Sequence, residues 1–259
     1  MLAGCVSQSS NAKPAAPSES AYTTHDFNYT SGNSTLSAIL CEPNGTNAQT
    51  PGLVLTGGDG VTAEKLRSAC ETFAKMGFLA LAHDNVENGT AEQDIAAVVM
   101  GAQILRGDVP GAGTGARGTE LGLGTSPSRP VALWAHSAGT IFSAFAAYDP
   151  SVKPFTFIDT SGHMQIPICD QPGSRSPIGG DCLAYWSQFP THILIVQGLN
   201  DTVVDPSFAQ AFSDRLSGIG RYHRLMMVPN ATHEFMLDKP GVLDAEVEFL
   251  KEGMNASGG

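Results

Sequence analysis

The stretch PVALWAHSAGT, residues 130–140, runs apolar as far as Trp134 and then turns small and polar around Ser137. A serine hydroxyl attacks a carbonyl only when a base takes its proton. Acyl transfer at such a hydroxyl also needs an acid that orients the base and N–H donors that hold the oxyanion. The chain offers a candidate for each part. Ser137 ends an apolar strand pattern and is followed directly by a helical one, a context that displays the hydroxyl at the edge of a sheet. Ala135 and Gly139, two positions to either side, are small enough for the tight turn this requires. Asp201 lies in GLNDTVV, after the apolar run 192–197, and His233 lies in NATHEFM, after YHRLMMVP. A serine among small residues also fits an ordinary turn, so the case rests on the three residues together.

The elements that would position them follow from hydrophobic periodicity. TLSAILCEP and PGLVLTGGDG are expected as strands, the second ending abruptly in glycines. Thr62 is the N-cap of a helix whose Leu66, Cys70, Phe73 and Met76 share one face, with Gly77 closing it in a left-handed turn. FLALAHD is a further strand. Thr90 and Gln93 form the capping box of a second helix, which aligns Ile95, Val98, Val99, Ala102 and Leu105. A helix over 138–147, strand FTFIDT, a long loop, strand HILIVQG, helix PSFAQAFSDRLSG, strand YHRLMMVP and a last amphipathic helix through Phe249 and Leu250 complete the order. Alternating strands and helices imply an α/β fold: a mostly parallel central sheet with right-handed crossovers and helices on both faces. One domain over 25–259 is expected, preceded by a tether over 1–24 and carrying a lid-like loop over 162–190. The glycine-rich insertion at 109–130 leads into a strand start and so belongs at the sheet edge opposite the candidate residues.

With these elements in place, the chain from about residue 25 to its end resembles the α/β-hydrolase family, and within it the dienelactone-hydrolase-like and polyester-cleaving serine esterases. The resemblance rests on the elbow at Ser137, on GLNDTVV as the family's G-x-x-D-x-x-V, and on the chain order Ser, Asp, His. Ala135 departs from the glycine usual at that position. The resemblance implies Ser137 as nucleophile, His233 as base and Asp201 as its acid partner, with Asp159 and Asp205 as rival acids. It assigns the oxyanion hole to the N–H groups of Ala138 and Gly58, although Asp59 stands beside that hole and the glycines also suit a simple turn. Tyr185 and Trp186, in the 162–190 loop, either line the substrate pocket or pack as part of a lid. The activity implied is carboxylic-ester hydrolysis through an acyl-enzyme, without cofactor or metal, with polyesters and lipid-like esters among the candidate substrates. A peptidase or thioesterase using the same residues is the alternative, as is a surface binding protein without catalysis.

Composition narrows the remaining choices. The apolar fraction is 42% and no apolar run approaches the roughly 18 residues of a membrane span. Lys and Arg number 14 against 25 Asp and Glu, a net charge of −11, which leaves no basic stripe for nucleic acid. His25, His83, His163, His192 and His223 show no metal-ligand spacing. The opening MLAGC resembles the lipobox of bacterial lipoproteins, in which Cys5 would be lipidated, but no basic and no apolar signal segment precedes it. The following VSQSSNAKPAAPSES has the composition of a flexible tether. The expectation is an extracytoplasmic monomer that meets a membrane only through that anchor. Cys169 and Cys182 bracket a loop of turn-formers and are expected to bridge, whereas Cys41 and Cys70 are either a second pair or reduced core residues. Seven asparagines begin N-x-S/T sequons (Asn28, Asn33, Asn44, Asn88, Asn200, Asn230 and Asn255). The frequent sharing of turns by Asn and Thr is the favoured account of them, with a eukaryotic secreted origin as the other.

Overall fold

Among the described residues, six of the eight strands carry five to seven residues, and five of these six are buried along almost their whole length, as in strands covered on both faces. The computed structural model describes residues 21–107, 128–162, 189, 192–234 and 236–257. Along them run β1 (Tyr22–Ser31), β2 (Ser34–Pro43), β3 (Gly52–Thr56), α1 (Ala63–Lys75), β4 (Leu79–His83), α2 (Ala91–Arg106) and β5 (Val131–His136). Then follow α3 (Gly139–Ala146), β6 (Thr156–Thr160), β7 (His192–Gly198), α4 (Pro206–Gly218), β8 (His223–Val228) and α5 (Val242–Ser257). The strands form one sheet in the order β1-β2-β4-β3-β5-β6-β7-β8. Every pair from β4 to β8 is parallel, and only β1–β2 and β2–β4 are antiparallel.

Side chains of a strand alternate between its faces, and the core divides accordingly. Val54, Leu81, Leu133, Phe157 and Ile195 join one cluster with Val98 and Leu105 of α2, Phe145 of α3 and Phe212 of α4. Their sequence neighbours Leu53, Ala80, Trp134, Ile158 and Leu194 join another with Leu66 and Phe73 of α1 and Phe249 and Leu250 of α5. Helices thus cover both faces of the expected mostly parallel sheet. Because the strands from β3 to β8 run the same way, their C-terminal ends gather at one edge, with His136 beside Thr160 and Gly198 beside Val228 in register.

Two details differ from the pattern read in the sequence. β1 was not anticipated, and it begins at Tyr22, inside the stretch assigned to the tether. Its exposed and half-buried residues alternate as befits an edge strand, and only Tyr29 and Ser31 are buried, so it lacks the apolar run of its neighbours. Met76 does not share the buried face of α1: the helix ends at Lys75, Met76 caps it at 43% exposure, and Gly77 at φ 92° turns the chain away. The chain does make a Cys41–Cys70 disulfide, which ties β2 to α1 across a Cα separation of 5.8 Å. Closing its 29-residue loop stabilises the fold by about 3–4 kcal/mol. The Cys169–Cys182 pair and Cys5 lie outside the described residues. All seven sequon asparagines are exposed, and Asn88 and Asn230 take left-handed φ of 53° and 58°, in keeping with turn chemistry.

The face packed by α5 contains a buried acid. Glu246 is fully buried, and its carboxylate oxygens accept from Trp134 Nε1 at 3.0 Å and Thr160 Oγ1 at 3.5 Å. Burial pushes the carboxyl up to about 8, against those two donors. Between its ordinary value of 4.5 and about 8, the folded state therefore holds a proton that the unfolded chain has released. The contribution is complete below the lower value and is lost as pH rises through the upper one. Glu246→Gln, a neutral isostere that can still accept from the indole, should flatten the fall in Tm between about pH 5 and about pH 9, as read by thermal unfolding. A profile as steep as that of the unsubstituted chain would show that Glu246 does not set it.

Candidate active site

The site is built where β5 passes into α3. Ser137 adopts φ 56°, a left-handed conformation that costs a side-chain-bearing residue about 1–2 kcal/mol. The surroundings hold it there. Its N–H donates to Thr160 O at 3.1 Å, and its carbonyl accepts from Thr140 N at 3.1 Å and Thr140 Oγ1 at 2.7 Å. Gly139 is small of necessity, since a Cβ there would stand 2.7 Å from Thr56 O and closer still to Gly57 O. The turn is therefore tight enough to press the start of α3 against the end of β3.

At the end of β7 a second close approach brings the other two residues in. A Cβ on Gly198 would lie 2.6 Å from Ala231 O and 2.7 Å from Thr232 O, so only glycine lets the loop after β8 cross directly over this strand end. Asn200 N donates to Ala231 O at 2.9 Å and fixes the crossing. In consequence His233 stands between Asp201 and Ser137, with Nδ1 at 2.8 Å from Asp201 Oδ2 and Nε2 at 2.9 Å from Ser137 Oγ. Nδ1 faces a carboxylate and so carries the ring proton. The lone pair of Nε2 is then left to accept the Ser137 hydroxyl.

Asp201 has an exposed chain neighbour on either side of a side chain that is itself fully covered. Burial pushes its carboxyl up. Hydrogen bonds from Val204 N, His233, Val203 N and Gln197 outweigh that and leave it below the ordinary carboxylate range. Oδ1 accepts from Val203 N at 2.8 Å and Val204 N at 2.9 Å, while Oδ2 accepts from Gln197 Nε2 at 3.0 Å in addition to His233. Gln197 was not anticipated. Its one sequence signal is a polar residue at the end of the apolar run HILIVQG. The rival acids have other positions: Asp205 caps α4 by accepting Ser207 N at 2.8 Å. Asp159 is buried in β6, where burial, opposed by the Gly162 N–H, raises its carboxyl to about 8.

Gly58 lies against Ser137. A Cβ added there would stand 2.7 Å from Ser137 Cβ and 3.1 Å from Ala138 N, so its absence keeps open the space between the hydroxyl and the Ala138 N–H. Asn85, a second unanticipated residue, holds this loop by donating from Nδ2 to Gly57 O at 2.8 Å and Gly58 O at 3.2 Å. Beside it opens a cavity of about 460 Å³, lined by Gly58, Asp59, Val61, His136, Ser137, Val203, His233 and Glu234. The lining combines the reactive groups with two valines and two acidic side chains. Asp59 is exposed at the surface rather than buried against Gly58. Tyr185 and Trp186 lie outside the described residues.

No protein-family model matches the chain, and no curated protein matches it in sequence. Solved structures do. Est1E from Butyrivibrio proteoclasticus superposes with a TM-score of 0.65 over 89% of this chain and 99% of its own, at 16% identity. The Pyrococcus furiosus esterase Pf2001 gives 0.66 over 94% and 96%, also at 16% identity. The architecture is the α/β-hydrolase fold. A Bacteroides ovatus protein named for dipeptidyl aminopeptidase IV gives 0.66 over 91% of this chain and 36% of its own, at 14% identity. At such identities the likeness establishes the fold, and the chemistry has to be argued from the side chains.

The hydrogen bonds separate the three candidate acids by experiment. Asp201→Asn should preserve thermal unfolding yet lower kcat by up to roughly 10⁴-fold on a soluble ester, because an amide can favour the wrong imidazole tautomer. Asp205→Asn should leave kcat/KM almost unchanged. Loss of turnover on Asp159→Asn with Asp201→Asn still active would move the acid to β6.

Proposed function

We propose that the protein is a serine hydrolase that cleaves carboxylic esters through an acyl-enzyme. The observation that carries this reading is His233, placed within hydrogen-bonding distance of the Ser137 hydroxyl on one nitrogen and of the Asp201 carboxylate on the other. A base so held draws the proton from Ser137 Oγ as that oxygen attacks the ester carbonyl carbon. Asp201, kept ionised by its four donors, stabilises the imidazolium that results. The N–H groups of Ala138 and Gly58 are the proposed donors to the oxyanion. Collapse breaks the bond to the leaving alcohol, whose oxygen takes the proton from Nε2, and leaves the acyl group on Ser137. Water then repeats the sequence, with His233 as its base, and releases the acid.

Esters are favoured because Val61 and Val203 flank the cavity beside Ser137 and offer an apolar surface to an acyl chain. Polyesters and lipid-like esters belong to the same chemical class. The Cys41–Cys70 disulfide fits an oxidising compartment, in keeping with an extracytoplasmic monomer that Cys5 would anchor.

The test is a panel of p-nitrophenyl esters of increasing acyl length, with an aminoacyl p-nitroanilide and an acyl thioester alongside. Turnover of the esters should dominate. Ser137→Ala should lower kcat by on the order of a million-fold while leaving the fold intact, and a fluorophosphonate should label Ser137. Near-normal ester cleavage by Ser137→Ala would overturn the proposal. Faster cleavage of the anilide or thioester would replace the substrate class but not the nucleophile.

A further inference from the structure

His136, the last residue of β5, stands immediately before the nucleophile and was given no role by the sequence. It is 4% exposed, and its ring lies against that of His233 with centroids 4.9 Å apart and planes inclined by 49°. Beyond its bond to Cβ, the His233 ring is held by hydrogen bonds at its two nitrogens, to Asp201 and Ser137. Hydrogen bonds of this kind tolerate about 30° of misalignment, so they fix the line through the two nitrogens more tightly than the tilt of the ring about it. A second ring packed against it restrains that tilt, and His136 supplies one from β5.

Resting on the ester-hydrolase reading, we infer that His136 is a positioning residue: it sets the plane of the His233 imidazole so that Nε2, after taking the proton of Ser137, points it at the leaving oxygen. The two proton positions differ. The Ser137 oxygen is fixed by the elbow, but the leaving oxygen belongs to the substrate and is reached only if the ring tilt is right. The surroundings of His136 suit the task. Burial first, then the adjacent His233, push its ring down to about 4, against the pull of Asp201 and of the His233 main chain. Its ring is therefore neutral over the working range, and no second positive charge faces His233 when that ring becomes cationic.

The consequence is a dependence on the leaving group. An alkoxide leaves only with a proton, whereas p-nitrophenoxide leaves without one. The measurement is kcat/KM, which covers the steps through acylation, for an ethyl ester and a p-nitrophenyl ester of the same acid. His136→Ala should lose about tenfold more on the ethyl ester than on the p-nitrophenyl ester, a part of the roughly 10²–10⁴-fold that general acid catalysis contributes. His136→Phe, which retains a flat ring face, should recover the original ratio. Thermal unfolding and fluorophosphonate labelling of Ser137 establish that each variant is folded. If His136→Ala is not, His136→Leu, which has bulk without a planar face, takes the same test and should show the same loss. Equal losses on both esters would overturn the inference, as would failure of His136→Phe to recover the ratio. Absence of Ser137-dependent cleavage in the unsubstituted protein would instead overturn the ester-hydrolase reading beneath it.

Discussion

Main chains pass one another at the strand ends more closely than a side chain would allow, and the rest of the site depends on that constraint. Gly139 lies against the carbonyls of Thr56 and Gly57, and Gly198 against those of Ala231 and Thr232. The first contact turns β5 sharply into α3 and leaves Ser137 at the apex in a left-handed conformation. The second carries the loop after β8 over β7, which is what brings a residue from the end of the chain to within 2.9 Å of Ser137 Oγ. Parallel strands ending at a common edge bring the loops near each other. The missing Cβ atoms close the last few ångströms.

Around this framework, main-chain and neutral polar groups do most of the holding. Asp201 is kept ionised by two N–H groups and the Gln197 amide as well as by His233, so its position does not depend on the imidazole alone. Asn85 secures the Gly57–Gly58 carbonyls by a single amide. Deeper in the sheet, His83 meets Asp84 O through Nδ1 at 2.9 Å, which makes that nitrogen the donor and leaves Nε2 to accept from Thr56 Oγ1 at 3.1 Å. Burial lowers its affinity for a second proton, so the strand end next to the Gly57–Gly58 loop is joined by a neutral pair.

What could be read without coordinates was whatever leaves a local or periodic mark. The core strands and helices appear as apolar runs and faces. The turns at Ser137 and Asp201 appear as small residues at fixed spacing. Residues that support those turns leave no such mark: Gln197, Asn85 and His136 are single polar residues at strand or loop ends, and their partners are chosen by which strands become neighbours in the sheet. β1 was missed for a related reason, since YTTHDFNYTS packs one edge strand on its partner with little apolar content. The Cys41–Cys70 pairing was left open because spacing does not determine connectivity. Only the packing of α1 over β2 brings those sulfurs together.

Asp59 and Glu234, on the wall of the cavity, also bear on what happens after the bond is broken. In the proposed reaction an ester would enter without charge at its carbonyl, whereas the acid released from Ser137 would depart as an anion. In a chain of net charge −11, with two exposed acidic side chains lining the cavity, that anion would be repelled by its surroundings as soon as it formed. Ester hydrolysis in this cavity would thus favour expulsion of its own product, and the accumulated acid would compete poorly with fresh substrate.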